Sequence, residues 1–310
     1  VLKMAEIQGL AGKFVGVEAS FSTLNAVCID VKGAITGSHQ SAFDPAQRTI
    51  PQLIRFINEL KNRFGNFEKI GVAVPGLIHR ETHKVAFSTH IPEHSQTDLT
   101  RELQDETGLK TLIENDANAA GYGEFKFGAG RGCTNMFYAT LGTGVGGAFI
   151  FDGKIWRGSA GFAGEFGYVP INSDGMRLED VASSANIVRR TRSRFHQDNS
   201  SSLNRFDEQR IKISDIVTAA ESEDDFAQMM LERTGEYVGT AIASVINLLN
   251  IEKIVIGGEI MQAKHLVLDS VISRAKELSF GPSFENTDIA AGELGENAAA
   301  IGAALLANDN

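Results

Sequence analysis

The sequence is poor in several residue types, and each shortage narrows its possible functions. Only 2 of its 310 residues are cysteine, Cys28 and Cys133. We expect both to be buried, reduced thiols in strands, since a disulfide-stapled domain uses many more. No stretch approaches the roughly 20 apolar residues that a membrane-spanning helix needs, and residues 1–12 lack the apolar core of a signal peptide. These absences predict a cytoplasmic protein that does not enter a membrane.

Positive charge is also scarce, because 39 acidic residues outnumber 29 lysines and arginines and the formal net charge is −10. Gripping a nucleic-acid backbone requires a basic face. The densest basic stretch contains Arg189, Arg190, Arg192 and Arg194. Their spacing points the charges around a helix and not along one stripe, so we interpret it as a solvated helix. The sequence therefore predicts no nucleic-acid binding by this chain alone.

Apolar patterns in the two halves of the chain follow the same order, which predicts a duplicated α/β unit. The first half has a three-stranded meander over 14–41, then a helix, then a buried strand over 69–74. The second half has a meander over 135–156, several helices of which one spans 178–194, and a buried strand over 253–256.

We divide the chain into an N-terminal lobe, residues 1–118, and a C-terminal lobe, residues 119–310, because 310 residues form two domains more naturally than one. The closing helix, about 297–310, is expected to pack back on the N-terminal lobe. A cleft between two such lobes is the default place for a ligand.

A glycine-rich segment, Gly142-Thr143-Gly144-Val145-Gly146-Gly147, formally satisfies the dinucleotide-binding pattern. That pattern requires a helix directly after the glycines, whereas residues 148–151 are typical of a strand. A glycine turn between strands can still present backbone N–H groups to phosphate oxygens, and Thr143 adds a hydroxyl donor. The alternative is a hairpin that binds no ligand, although this segment has more glycines than a hairpin needs.

Asn115 and Asp116 lie between a predicted strand and a helix of small residues. Either side chain is suited to cap that helix. The carboxyl end of a strand is also where an α/β sheet places catalytic groups, and phosphoryl transfer to a hydroxyl needs one carboxylate to accept the proton. The two roles are compatible if one residue caps and the other faces the ligand.

Two histidine pairs, His79/His83 and His90/His94, have the i, i+4 spacing of some metal sites. Such spacing converges on a metal only within a helix. Pro92 interrupts one pair and the other falls in a predicted turn, so we predict no metal site there.

Eight short motifs occur in the order seen in the ROK family of bacterial sugar kinases and sugar-responsive repressors, and the resemblance covers residues 14 to 307. The motifs are Val72–Gly76 (VAVPG), Glu114–Ala120 (ENDANAA), Gly123-Glu124, Phe127–Gly132 (FGAGRG), Leu141–Gly147 (LGTGVGG), Gly164–Gly167 (GEFG), Ile254–Gly258 (IVIGG) and Gly295–Ala304 (GENAAAIGAA). The resemblance implies the two-lobed actin/hexokinase-like (ribonuclease H-like) ATPase fold, with duplicated βββαβαβα units and a ligand cleft between the lobes.

The resemblance also implies roles for individual residues. Asp116 would be the general base that takes a proton from a sugar hydroxyl. The residues that would contact the sugar are Gly76, His90, Asn115, Glu165, Tyr168 and Glu179. The residues that would contact ATP are Glu18, Ser20, Ser22, Gly142, Thr143, Gly144, Gly146, Gly257 and Gly258.

The first phosphate loop departs from the family pattern. ROK kinases normally open with Asp-x-Gly-Gly-Thr, whereas this chain has Glu18-Ala19-Ser20-Phe21-Ser22. Side chains thus stand where backbone should approach ATP, and Phe21 is bulky. Glu18 keeps a carboxylate for Mg²⁺ and Ser22 keeps a hydroxyl, so the change weakens the case for kinase activity without excluding it.

The family's zinc site is missing as well. Tyr168 stands in place of the usual histidine, and residues 172–179 contain no cysteine. We therefore expect no structural zinc, and we expect packing to order the loop that carries Glu179. His90 replaces a family asparagine near the sugar, so the sequence does not identify the sugar.

Two functions follow from these observations. The first is a sugar kinase that uses ATP and Mg²⁺ on a hexose or hexose derivative, as a homodimer by family expectation. The alternative is a weakly active or inactive sugar-sensing domain of a regulator, which the altered first loop and the strand-like segment at 3–7 favour. Asp116 favours the kinase, and the sugar-site glutamates argue against an actin-like filament protein.

Overall fold

The computed structural model describes residues 13–79, 85–87 and 98–309. The chain divides into two compact units. Unit 1 comprises Val1–Arg131, Lys154–Ala163 and Glu296–Asn310, and unit 2 comprises Gly132–Gly153 and Gly164–Gly295. The boundary between residues 118 and 119 stays a prediction.

Unit 1 begins with three strands, and helices are interspersed among the strands that follow. Its elements are β1 (Phe14–Ala19), β2 (Thr23–Ile29), β3 (Ile35–Ala42), α1 (Thr49–Phe64), β4 (Lys69–Val74), β5 (Leu77–Ile78), β6 (Val85–Phe87), α2 (Leu99–Thr107), β7 (Lys110–Asn115), α3 (Asp116–Phe127), β10 (Lys154–Trp156) and α10 (Ala298–Asp309).

The main sheet of unit 1 has the strand order β3-β2-β1-β4-β7. Strand β1 pairs antiparallel with β2 and parallel with β4, in the register Val15↔Cys28 and Val15↔Ile70. Strand β7 pairs parallel with β4, so both strands end at the same edge of the sheet. The amphipathic helix α1 buries Leu53, Phe56 and Ile57 in the core on one side.

Helix α10 is buried over Ala298–Ala307 and packs on α3, β1 and β4. Glycines let its backbone approach the sheet closely. A Cβ on Gly16 would lie 1.9 Å from the carbonyl oxygen of Ala300, and one on Gly71 would lie 1.9 Å from that of Ala303. Neither position therefore tolerates a side chain without displacing α10.

Unit 2 contains the second sheet and most of the helices. Its elements are β8 (Met136–Leu141), β9 (Val145–Phe151), α4 (Glu179–Ala182), α5 (Ser184–Arg192), α6 (Ile213–Glu221), α7 (Asp225–Leu249), β11 (Lys253–Gly257), α8 (Lys264–Leu278), α9 (Gly281–Glu285) and β12 (Asp288–Ala291). The order β9-β8-β11-β12 repeats β2-β1-β4-β7, with one antiparallel pair and then parallel pairs. This repetition confirms the predicted duplication of a mixed α/β unit.

Three local predictions were wrong: the single helix over 178–194, the burial of Cys133 in a strand, and the solvated arginines of α5. The helix expected over 178–194 is two helices, α4 and α5, because Ser183 between them has extended backbone (ψ 152°). Cys28 is buried in β2, but Cys133 is half-buried and precedes β8; both are free thiols.

The arginines of α5 do not all face solvent. Arg190 is buried and donates to the carbonyl oxygen of Val181 (2.9 Å) and to Thr234 Oγ1 (2.8 Å). Burial lowers the pKa of its guanidinium to about 10. Arg192 donates to the carbonyl oxygens of Gln209 and Ile211. These two side chains join neighbouring segments, which a solvated helix face would not require.

Among the described residues, no helix combines the length and the hydropathy needed to cross a bilayer.

Candidate functional site

The junction of β7 and α3 in unit 1 carries the predicted general base. Asn115 is the N-cap of α3: its Oδ1 accepts from the backbone N–H of Asn118 at 3.0 Å. Its Nδ2 donates to Asp116 Oδ1 (3.0 Å) and to the carbonyl oxygen of Gly76 (3.1 Å). Asp116 follows in the first turn, where the helix N-terminus favours a negative charge. The structure thus gives the cap to Asn115 and brings Gly76, Asn115 and Asp116 together.

An ion pair formed by a buried carboxylate supports this junction, and no sequence motif indicated it. The Glu114 side chain, at the end of β7, is 5% exposed. Its Oε2 accepts from Nε and one Nη of Arg157, and its Oε1 accepts from Asn118 Nδ2 and from the backbone N–H of Asn115. The ENDAN motif drew attention to Glu114, but nothing in the pattern pointed to Arg157.

Glu18 lies at the end of β1 and is half-buried. Burial, followed by the charges of Asp116 and Glu296, raises the pKa of its carboxyl to about 8. Glu296, in the GENAAA motif before α10, is a second residue that sequence reasoning left without a role. The three carboxylates form an acidic region of unit 1 that a cation would stabilise.

The rest of the first loop is a tight turn. Ser20 donates its backbone N–H to the carbonyl oxygen of Thr23 (2.8 Å), and its hydroxyl contacts the same oxygen (3.0 Å) and Thr23 Oγ1 (2.6 Å). The carbonyl oxygen of Ser22 accepts from Phe43 N–H, and Phe21 is 53% exposed. The backbone N–H and the hydroxyl of Ser20 are thus engaged within the turn itself.

In unit 2, the predicted glycine loop is shorter than expected. Strand β9 begins at Val145, so the turn is only Gly142-Thr143-Gly144. Gly146 and Gly147 lie within β9, where a Cβ on Gly147 would meet the Phe137 ring at 2.9 Å. Gly147 therefore serves packing.

Glu179 holds this turn from the side. Its Oε2 accepts from the backbone N–H of Val145 at 2.9 Å, and a Cβ on Gly144 would lie 3.1 Å from the same oxygen. A Cβ on Gly167 would lie 3.2 Å from Glu179 Cβ. The structure therefore brings the Gly-Glu-Phe-Gly segment, Glu179 and the glycine turn into one packed cluster.

The turn after β11 lies beside the same cluster. Gly258 has a φ of +98°, and a Cβ there would lie 2.3 Å from the carbonyl oxygen of Leu141. Next to it, Glu259 accepts a hydrogen bond from the Ser184 hydroxyl, while Ser184 N–H donates to the carbonyl oxygen of Gly142 (2.8 Å). Glu259 and Ser184 were not predicted, although Glu259 directly follows the Gly257-Gly258 pair.

The loop that leads to Glu179 has hydrogen bonds and an ion pair of its own, in addition to the packing that we expected. Asn172 Oδ1 accepts from the backbone N–H groups of Asp174 (3.2 Å) and Met176 (2.9 Å). Arg177 pairs with Asp180 at 3.1 Å and lies 4.9 Å from the centroid of the exposed Tyr168 ring. Glu165, which precedes Tyr168 in the Gly164–Gly167 segment, is also exposed.

The histidine predictions fall mostly outside the described residues, which do not include His83, His90 or His94. His79 is described, and its ring lies 6.2 Å from that of Phe162. Over 13–79, 85–87 and 98–309, no group of three or more His, Cys, Asp or Glu side chains is placed to hold a metal by itself.

The chain matches the model of the ROK family over residues 14–310. It is 34% identical to the glucokinase of Thermotoga maritima over 248 residues, which are 76% of this chain and 78% of the relative. It is 25% identical to the xylose repressor of Bacillus subtilis over 314 residues, 97% of this chain and 78% of the repressor.

The fold is that of a solved ROK family glucokinase from Streptomyces griseus in complex with glucose and AMPPNP. The TM-score is 0.86 at 26% identity, with 96% of this chain and 100% of that chain covered. The predicted actin/hexokinase-like fold is thereby confirmed.

Proposed function

The chain belongs to the ROK family, and we propose that it is a sugar kinase that transfers the γ-phosphate of ATP to a hydroxyl of a hexose or hexose derivative. One observation carries the proposal: Asp116 stands at the N-terminus of α3, oriented by Asn115, which is itself bonded to Gly76. A protein that only bound sugar would not need such a fixed carboxylate. Glucokinases among the relatives support the same activity.

In the proposed reaction, Asp116 accepts the proton of the attacking sugar hydroxyl as its oxygen bonds to the γ-phosphorus, and the bond from that phosphorus to the oxygen shared with the β-phosphate breaks to release ADP. Asn115 fixes the carboxylate through its hydrogen bond to Asp116 Oδ1. Glu165 and Glu179 accept hydrogen bonds from other sugar hydroxyls. The Gly142 N–H is bonded to the Gly144 carbonyl oxygen, so the backbone N–H groups of Thr143 and Gly144 are the donors to phosphate oxygens.

The acidic region of Glu18, Asp116 and Glu296 would attract a divalent cation, because Asp116 and Glu296 add negative charge beside Glu18, although the three side chains are not placed to hold a metal by themselves. Glu18 would hold Mg²⁺ together with ATP phosphates and water, the usual mode for this ion. When bound, Mg²⁺ neutralises charge on the phosphates.

A sugar-sensing domain is the second candidate. The closed Ser20–Thr23 turn favours it, since the backbone that should approach ATP is bonded to itself. The match to a xylose repressor along nearly the whole chain supports it too. We prefer the kinase because a sensor has no use for Asp116.

ATP supply places a kinase of this type in the cytoplasm, and we propose a homodimer by analogy with the family. Light scattering of the purified chain tests the dimer: a mass near 67 kDa, twice the 33.4 kDa of one chain, is expected, and a mass of one chain would contradict it.

The experiment that tests the function is ADP release from Mg-ATP with a panel of hexoses, N-acetylhexosamines and their phosphates. We expect turnover with at least one sugar, and a loss of about 1000-fold or more in Asp116→Asn, as for removal of a general base in the transition state. The matched control is Asp105→Asn, which removes an exposed carboxylate on α2 that pairs with Arg101. We expect this variant to have wild-type turnover. No turnover, together with a sugar that raises the melting temperature, would favour the sensor.

A further inference from the structure

We infer that Arg157 is a positioning residue for the Asn115–Asp116 pair, acting through the buried carboxylate of Glu114. The inference rests on the proposed function, in which Asn115 and Asp116 meet the sugar. Arg157 lies outside every motif that pointed to that function.

The starting observation is how Glu114 is buried. Its side chain is 5% exposed, whereas that of Arg157 is 36% exposed. A buried carboxylate is tolerated only when a cation and hydrogen-bond donors compensate its charge. Arg157 is the cation: Nε donates to Glu114 Oε2 at 3.1 Å, and an Nη donates to the same oxygen.

The other carboxylate oxygen connects to the proposed catalytic pair. Glu114 Oε1 accepts from the backbone N–H of Asn115 (3.0 Å) and from Asn118 Nδ2 (3.1 Å). Because Arg157 fixes Oε2, it also fixes the direction of Oε1 and hence the backbone of Asn115. The Asn115 side chain then donates to Asp116 Oδ1 at 3.0 Å. A continuous series of hydrogen bonds thus runs from Arg157 to the carboxylate of Asp116.

Arg157 is itself anchored, so it can act as a reference point. Its carbonyl oxygen accepts from the N–H of Ala163 at 3.1 Å, which closes the 157–163 loop. Two guanidinium nitrogens on one carboxylate oxygen fix an orientation that the single ammonium of lysine cannot reproduce.

Without Arg157, the Glu114 charge would be buried and uncompensated two residues before Asp116. The carboxylate would turn toward solvent and pull the Asn115 backbone with it. A shift of about 1 Å in a catalytic group costs about 100-fold in rate, so even partial displacement would be measurable. Neutralising Glu114 at the same time would remove the cause of the movement.

The experiment compares Arg157→Met, Arg157→Lys and the double variant Glu114→Gln/Arg157→Met. The substrate is whichever hexose of the panel gives turnover. The matched control is Arg101→Met, which removes an arginine paired with an exposed carboxylate at 3.6 Å. Melting temperatures are measured alongside, so that loss of fold is separated from loss of rate.

We expect Arg157→Met to lower kcat about 30-fold while KM for Mg-ATP changes less than about twofold. Lysine should restore part of the rate, and the double variant should be faster than Arg157→Met alone, which a purely structural role would not produce. If Arg157→Met does not fold, the lysine and double variants carry the same comparison.

The inference is wrong, with the kinase function intact, if Arg157→Met turns over like Arg101→Met or if Glu114→Gln makes it slower still. If the wild-type chain shows no turnover, the kinase proposal fails separately. The positioning role is then tested by calorimetry, which compares the glucose affinity of Arg157→Met with that of the wild-type chain. A loss of about fivefold in folded Arg157→Met would support it, and unchanged affinity would overturn it.

Discussion

The β1–β2 turn of unit 1 and the β8–β9 turn of unit 2 occupy the same place in two copies of one fold, yet they are built differently. The first turn contains no glycine, and Ser20 bonds to Thr23 within the turn. The second is Gly142-Thr143-Gly144, which has its own bond from Gly142 N–H to the Gly144 carbonyl oxygen (3.0 Å) and is also held by Glu179 and Ser184 from neighbouring segments.

The difference shows how the two copies of a duplicated fold can take different functions. Ser20 uses both its N–H and its hydroxyl on Thr23, whereas the absence of side chains at Gly142 and Gly144 lets a phosphate approach the backbone closely. In the proposed kinase, unit 2 therefore supplies most of the phosphate contacts. Unit 1 supplies the general base and an acidic region for Mg²⁺.

The largest expected effect concerns the acidic region beside the first turn, which contains Glu18, Asp116 and Glu296. The second turn has an acidic neighbour too, Glu179, but that carboxylate accepts from Val145 N–H. The folded-state pKa of Glu18, about 8, is above its ordinary value of 4.5. Between these values the unfolded chain releases the proton and the folded chain keeps it, so stability falls as pH rises. We expect Glu18 to cost about 3 kcal/mol between pH 5.5 and 8.

Urea unfolding of the wild-type chain and of Glu18→Gln at both pH values measures this cost. The glutamine variant should lose about 3 kcal/mol less than the wild type over this interval. Glu102→Gln, at an exposed position in α2, is the control and should follow the wild type. Parallel pH dependence in all three chains would show that Glu18 is ionised in the fold.

The next effect comes from placing the same β-branched residue in each turn. Gly144→Val would force a side chain against Glu179 Oε2, 3.1 Å from the Cβ position. We expect Mg-ATP affinity to fall about 100-fold, or about 2.7 kcal/mol, by calorimetry. Ser22→Val, in the exposed first turn, should change affinity less than about threefold. Equal losses would mean that both turns bind phosphate and would remove the asymmetry.

The smallest expected effect is a gain in Mg-ATP affinity. Phe21 is 53% exposed in the first turn, where backbone would have to approach ATP. Phe21→Gly should raise Mg-ATP affinity about threefold, or about 0.7 kcal/mol, because it removes the bulk and permits a more open turn. Phe280→Gly, at a position 68% exposed in unit 2, should leave affinity unchanged. A loss of affinity in Phe21→Gly would show that the phenylalanine contributes to binding.

Much of the fold could be predicted because its signals are local. Strands such as β4 and β11 are short apolar runs that end at glycine or proline turns, and α1 shows helical spacing of apolar residues. The break at Ser183 was missed because either side is compatible with a helix. It depends on bonds to distant segments, including Ser184 N–H to the Gly142 carbonyl oxygen.

The site was predictable only in part for the same reason. Asp116 and the glycine turn lie within short motifs, so the sequence identifies them. Arg157 is 43 positions from Glu114, and only the folded chain brings the two side chains together. Likewise, no pattern shows that β9 begins at Val145 and absorbs two of the glycines, since strand pairing with β8 decides it.

The most direct test of the central claim is a single-turnover experiment with enzyme in excess over γ-labelled ATP and a saturating hexose. These conditions separate phosphoryl transfer from weak nucleotide binding by the altered first turn. We expect label to move from ATP to the sugar in the wild-type chain and to stay in ATP in Asp116→Asn. Label that stays in ATP in the wild-type chain, while the same sugar raises the melting temperature, would contradict the kinase assignment.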